Sequence, residues 1–183
     1  MFKEIMAVAA LMAVFTSTQA AEPLKKGAYF GAGVGTSLFD DDGGLSRLSR
    51  DDSDKAVLVF AGYKFFEYLS VEARYSNFGS FNFGSLDLDV SATSVHAVGT
   101  VPFGSSGWEL YGQMGLGNVK IDGMFNGGDD ETGVAGGIGV RFSPTENLAI
   151  GIQTDVFVWE FESFTSTHDM SVGGTALTAR FIF

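Results

Sequence analysis

The chain has 183 residues with 22 acidic against 11 basic side chains, a net charge of −11 that excludes nucleic acid as a partner, since phosphate binding needs clustered Lys and Arg. It has no cysteine, which excludes disulfides, thiolate metal sites and a Cys nucleophile. Charged residues make up 18%, aromatics 14%, and the 25 glycines are roughly twice the usual share, a composition that favours strands and turns over helices.

Residues 1–20 read as an export signal removed before Ala21. Lys3 supplies a positive start, residues 5–15 an apolar run, and residues 16–20 a small polar stretch, with Thr18 and Ala20 at the −3 and −1 cleavage sites. Glu4 is the one atypical residue there. The apolar run is shorter than the ~20 residues a bilayer-spanning helix requires, and no later window reaches that length. Residues 21–183 are expected to form a single domain.

From Tyr29 to Phe183, apolar side chains recur at every second position with small or polar ones between, and a period of two means strands. Eight are predicted, at 26–38, 56–65, 69–78, 90–102, 108–119, 132–142, 148–161 and 171–183. Most approach the ~9 to 11 residues of a tilted membrane strand. Connections alternate between tight turns, at 66–68, 103–107 and 143–147, and longer polar or Gly-rich stretches, such as 39–55 and 126–131. Short turns at one end and long loops at the other place the termini on the periplasmic side of an outer membrane.

One parity of these strands is apolar and uncharged: Val57, Val59, Ala61, Tyr63 and Phe65; Val71, Ala73 and Tyr75; Trp108, Leu110, Met114 and Leu116; Val134, Ile138, Val140 and Phe142; Ile150, Ile152, Val156 and Val158. The other holds Lys64, Glu72, Arg74, Glu109, Gln113, Arg141, Gln153, Asp155 and Arg180. A charge on the lipid face near mid-bilayer costs about 2 to 4 kcal/mol, so the charged parity is predicted to face the lumen. Gly31, Gly33, Gly35, Gly115, Gly117, Gly137 and Gly139 share it and leave room for long side chains. A soluble lipocalin-type barrel also has period-two strands, with the opposite polarity. Two aromatic belts complete the membrane reading. The periplasmic belt comprises Tyr63, Phe65, Phe66, Tyr68, Phe103, Trp108, Phe142, Phe181 and Phe183; the extracellular belt comprises Phe78, Phe81, Phe83, Phe125, Phe157, Trp159 and Phe164. The expected fold is all-β, an eight-stranded antiparallel up-and-down transmembrane β-barrel.

The ending LTARFIF, with Leu177, Ala179, Phe181 and Phe183 alternating, resembles the C-terminal signal by which bacterial outer-membrane barrels are read by their assembly machinery, with Thr178 where Gly is common. Together with YFGAGVGTSLF from Tyr29, AGYKFFEYLSVEARYSNFG from Ala61, LYGQMGLGNV from Leu110 and GGIGVRFSPTENLAIGIQ from Gly136, it makes the chain resemble the small outer-membrane β-barrel family of the OmpA-like transmembrane domain and the opacity-type surface proteins. The resemblance implies residence in the outer membrane of a Gram-negative cell, an inward Glu at Glu72 with Arg74 as partner, and assembly-machinery contact during biogenesis. Gly139 and Gly151 stand where that domain places a further acid and base, so the same gate is not expected. The chain closes on the barrel, and no peptidoglycan-binding domain is expected.

Eight strands leave an interior just wide enough for side chains, so Lys64, Glu72, Arg74, Glu109, Arg141, Asp155 and Arg180 are expected to form a lumenal network of paired charges. The functional expectation is a monomer with a structural or surface-interaction role, meeting outer-membrane lipids and lipopolysaccharide. A narrow passive pore is the alternative, and a lipid A-modifying enzyme the third. For the enzyme, His168 and Ser171 depart from the His-x-Ser spacing of the deacylase, and catalysis is not expected. His96 reads as a lumenal hydrogen-bonding group. The acidic loops, Asp40 to Asp42 with Asp51, Asp52 and Asp54, and Asp129 to Glu131, lack calcium-loop spacing and read as solvated. No metal or cofactor is expected. The near-repeat NFGSFNFGS from Asn77 reads as a loop tip.

Overall fold

The structure, a computed structural model, describes residues 25–40, 50–51, 53–83, 86–122, 129–163 and 166–183. The expected export signal lies outside the described residues. Eight long strands account for most of the rest: β1 (Gly27–Asp40), β2 (Ser53–Phe66), β3 (Leu69–Phe83), β4 (Leu86–Pro102), β5 (Trp108–Asp122), β6 (Asp129–Thr145), β7 (Leu148–Ser163) and β8 (Ser166–Ile182). Each pairs antiparallel with its sequence neighbours, and β1 pairs with β8 from Tyr29 opposite Ile182 to Asp40 opposite Ser171, so the sheet closes. Closure leaves no open edge, a requirement in hydrocarbon, where an unpaired backbone group costs several kcal/mol. A two-residue strand, Arg50–Asp51, pairs with Phe83 and Asn82 at the far end of β3.

The tight turns fall where the sequence predicts them. Gly104 and Gly107 take the left-handed φ values of 59° and 74° that bring β4 back into β5, and the Phe103 N–H donates to Trp108 O at 2.8 Å. At the same end, Asn147 Nδ2 donates to Ile182 O at 2.7 Å, tying the β6–β7 turn to the end of β8.

At the opposite end the strands run further than predicted. Residues 77–83 are not a loop tip: β3 continues through Phe83, with a bulge between Asn77 and Gly79, and β4 starts at Leu86. His168 and Ser171 lie in β8, opposite Phe161 and Val158, and Asp129 to Glu131 open β6 opposite β5. Ser171 falls at the start of a predicted strand, and the polar composition around His168 and Asp129 to Glu131 suggested loops, yet extending an existing ladder needs no new loop closure and adds inter-strand hydrogen bonds that offset the backbone entropy of each added residue.

Outward and inward faces follow the predicted parity from the periplasmic end up to the level of Val134 and Leu116. Val57, Val59, Val71, Tyr75, Leu110, Met114, Leu116, Val134, Ile138, Val156 and Val158 are all exposed on the outside. The periplasmic belt is present: Tyr63, Phe65, Phe66, Tyr68, Phe103, Phe181 and Phe183 are exposed, and Phe30 joins them, its ring 5.6 Å from Phe183. Trp108 packs against Phe142 at 5.1 Å.

The extracellular belt is a correction. Phe78, Phe157 and Trp159 are 6%, 3% and 2% exposed, buried inside the barrel with Val90, Val119, Ile121, Met170 and Val172. The side chains of Phe81, Phe83, Phe125 and Phe164 lie outside the described residues. In this upper region the outer wall carries Asn77, Thr93, Asn118, Lys120, Asp130 and Thr132, all exposed. The polarity has inverted: below, apolar out and polar in; above, polar out and apolar in. The physical reason is solvent. Where hydrocarbon ends, water outside favours polar residues and drives apolar ones into the barrel, as in a soluble one.

Candidate functional site: the filled lumen

The inward residues of the membrane-spanning part are held in place by strand parity, and glycines opposite the bulky ones give them room. A Cβ on Gly139 would lie 2.5 Å from the Tyr111 ring, one on Gly31 2.3 Å from Phe60, and one on Gly62 2.5 Å from Tyr29 Oη. Each of these pairs is directly cross-strand, an aromatic ring laid over a neighbouring glycine. Gly139 is thus filled space, covered by Tyr111, and Gly151 sits against Arg141, whose Cβ would be 2.8 Å away from a Cβ there.

Two groups of charges result. Near the periplasmic end, Glu109 accepts from Lys64 Nζ at 3.3 Å on one oxygen and from Arg141 Nε on the other, while Arg141 Nη2 donates to Thr100 Oγ1 at 3.0 Å. Above it, Glu72 accepts from Arg74 on Oε1, and on Oε2 from Arg180 Nη2 at 2.7 Å and Tyr29 Oη at 3.1 Å. Arg74 reaches on to Asp155 Oδ2 at 2.9 Å and to Gln113 Oε1 at 2.9 Å. Gln113 and Gln153 both donate to Asp155, and Tyr111 Oη donates to Gln153 Oε1 at 2.8 Å. The guanidinium carbons of Arg180 and Arg141 lie 4.0 Å and 4.8 Å from the Tyr29 and Tyr111 ring centres, cation–π contacts made in a desolvated site.

All seven charges picked out from the sequence therefore lie within this lumen. Tyr29, Thr100 and Tyr111 were not singled out, although each shares the inward parity of its strand, which was the available signal. His96 is buried and lies 2.7 Å through a ring nitrogen from Ser94 Oγ. The void among Arg74, Ser94, His96 and Asp155 is about 10 Å³, space for one water. The C-terminal residues Leu177, Ala179, Phe181 and Phe183 alternate outward on β8 and its end.

On the outside, at the polarity switch, a groove of about 590 Å³ crosses β3 to β6, with Tyr75, Val95 and Leu116 toward the membrane and Thr93, Asn118 and Lys120 above. The hydrogen bond from Lys120 to Asp122, 2.8 Å, holds the Lys120 ammonium above its ordinary pKa.

The sequence pattern of the family described as outer membrane protein beta-barrel domain matches residues 6–178. A comparison with curated protein sequences finds no match. Among solved structures, the barrel is similar to Neisserial surface protein A, at TM-score 0.64 and 16% identity over 85% of this chain and 97% of that one. It is also similar to outer membrane protein OprG from Pseudomonas aeruginosa, at 0.58 and 13% over 91% and 99%, and to Ail, the attachment invasion locus protein of Yersinia pestis, at 0.54 and 22% over 87% and 100%. At these identities the likeness is one of fold. The closed eight-stranded wall and the family pattern spanning it agree: the chain is a small outer-membrane protein of Gram-negative type and belongs to the outer membrane protein beta-barrel domain family.

Proposed function

We propose that this barrel has a structural or surface-interaction role and that its lumen is sealed, by paired charges below and by an apolar layer above. The observation that carries the reading is the filling of the interior. The charged residues reach one another across the barrel, the described void beside them has room for a single water, and Phe78, Phe157, Trp159 and Met170 close the interior above them. An ion crossing would have to part ion pairs and then shed its water in an apolar layer, where burying an unpaired charge is prohibitive. Planar-bilayer recording tests this: the refolded chain is expected to show no resolvable channel, and discrete conductance steps would establish the passive pore instead.

The outer groove supports lipid and lipopolysaccharide as neighbours. It straddles the polarity switch, with an apolar lower part at acyl-chain depth and hydroxyl, amide and ammonium groups at headgroup depth. The enzymatic reading has little support. His168 and Ser171 depart from the His-x-Ser spacing of the deacylase, and their nearness in sequence is the one feature that favours catalysis. Release of acyl chains from lipid A on expression, abolished by His168→Ala, would restore it.

A further inference from the structure

His96 stands on β4 where the charged filling of the lumen meets the apolar layer, and register sets it opposite Glu72 of β3 and Gly115 of β5. The residue is only 3% exposed. One ring nitrogen, Nε2, lies 2.7 Å from the hydroxyl of Ser94, two residues along the same strand. The other, Nδ1, is buried with no hydrogen-bond partner among the described residues. Beside this ring is the void of about 10 Å³, whose polar lining is Arg74, Ser76, Ser94, His96 and Asp155. Asp155 differs from the other lumenal carboxylates on the same border: 18% of its side chain is open, against 0% for Glu72 and 2% for Glu109. Its Oδ2 accepts from Arg74 and Gln153, while its Oδ1 accepts from Gln113 alone. A carboxylate offers about four lone-pair sites, so Oδ1 has one to spare. The void thus joins a nitrogen that lacks a partner to an oxygen that can take one more.

We propose that this void is a binding site for one resident water, which accepts a hydrogen bond from His96 Nδ1 and donates one to Asp155 Oδ1. The volume admits nothing larger, and a buried polar atom left without a partner loses its hydration and regains nothing. The direction of both bonds follows from the partners. An ionised carboxylate only accepts, so the water gives Asp155 a hydrogen and turns a lone pair to His96. Nδ1 therefore carries the ring proton of the neutral imidazole. Nε2 is left as an acceptor, and the Ser94 hydroxyl donates to it. The chain Ser94, His96, water, Asp155 ties β4 to β7, which are not neighbours in the wall, at the level where ion pairs give way to apolar packing. The inference goes beyond the sealed-lumen reading and does not rest on it, since one held water is compatible with a closed or a conducting barrel.

Crystals of the refolded full chain, diffracting well enough to show ordered water, test the site directly. One water peak within hydrogen-bond distance of both His96 Nδ1 and Asp155 Oδ1 is expected, and an empty void overturns the proposal. The proton's place is read separately by nitrogen-15 NMR of the histidine-labelled chain at mildly alkaline pH. The chain has two histidines, so His168→Gln leaves the His96 ring as the one signal. The Nδ1–H form is expected, with magnetisation transfer from a slowly exchanging water to the Nδ1 proton. An Nε2–H or doubly protonated ring, or no transfer from water, overturns the proposal. Asp155→Asn, checked for folding by heat-modifiable gel mobility, puts an N–H donor in place of one carboxylate oxygen and frees the water to turn round. A shift of His96 toward the Nε2–H form is expected in that variant. An unchanged tautomer in the folded variant would show that Asp155 does not act on His96 through the water, and would overturn the link.

Discussion

Glu72 shows how much a single lumenal residue carries. It is fully buried, and its two oxygens receive Arg74, Arg180 and Tyr29, from β1, β3 and β8. Removing it leaves two guanidinium groups desolvated and short of an acceptor, and breaking a buried pair in this way costs about 3 to 5 kcal/mol. Glu72→Ala is therefore expected to lower the urea midpoint of the vesicle-refolded chain by that equivalent, read from fluorescence of the two tryptophans. Gly139 makes the complementary case from space rather than charge. A side chain there meets both the Tyr111 ring and Ile152 O, at 2.5 and 2.8 Å. Gly139→Val is expected to cost about 1 to 3 kcal/mol through overpacking, and Tyr111→Ala in the same background should recover part of that loss. The inward direction of Glu72 and Gly139 was legible from parity alone. That Glu72 meets Arg180, 108 positions away, was not, because only closure of β1 onto β8 brings the two together.

At the scale of the strand, the informative feature is the level at which polarity inverts. On β6, Ile138 and Val134 face outward below the switch, and Thr132 and Asp130 above it. If the switch marks the upper edge of the hydrocarbon, the same substitution should have different costs along one strand. Ile138→Arg is expected to destabilise by about 2 to 4 kcal/mol and Thr132→Arg by less than about 1 kcal/mol, measured by urea unfolding in vesicles. Equal costs at the two positions would place the boundary elsewhere. Strand existence and the periplasmic turns were readable because each strand there alternates between lipid and lumen. The upper strand ends were misjudged because Asp, Ser, Asn and Gly in pairs look like loop, although backbone pairing with an existing neighbour was enough to extend the ladder through Phe83 and from Leu86.

The whole molecule combines two solvent regimes in one wall. Its lower part is a membrane barrel with a charged interior, and its upper part is organised like a soluble barrel with an apolar core. The two fillings predict a redundant seal. Phe157→Ala with Trp159→Ala removes much of the upper layer and is expected to destabilise substantially, each large-to-small change costing about 3 to 5 kcal/mol in a buried site, yet to leave the bilayer without resolvable channels while the ion pairs below stay in place. Channels appearing in that double variant would assign the seal to the apolar layer alone.

Sequence by itself determined the membrane-barrel fold, the number of long strands and the parity that carries the charges, because a hydrocarbon solvent imposes a two-residue period that charge placement cannot violate cheaply. It could not determine which acid meets which base, since those contacts form across a lumen whose opposite walls are far apart in the chain. Phe78, Phe157 and Trp159 share the inward parity of Glu72 and Arg74 or of Gln153 and Asp155, yet their position near strand ends suits a membrane interface as well as a core. Only the tertiary structure decided between the two, by burying all three side chains in one cluster with Val90, Val119, Ile121, Met170 and Val172.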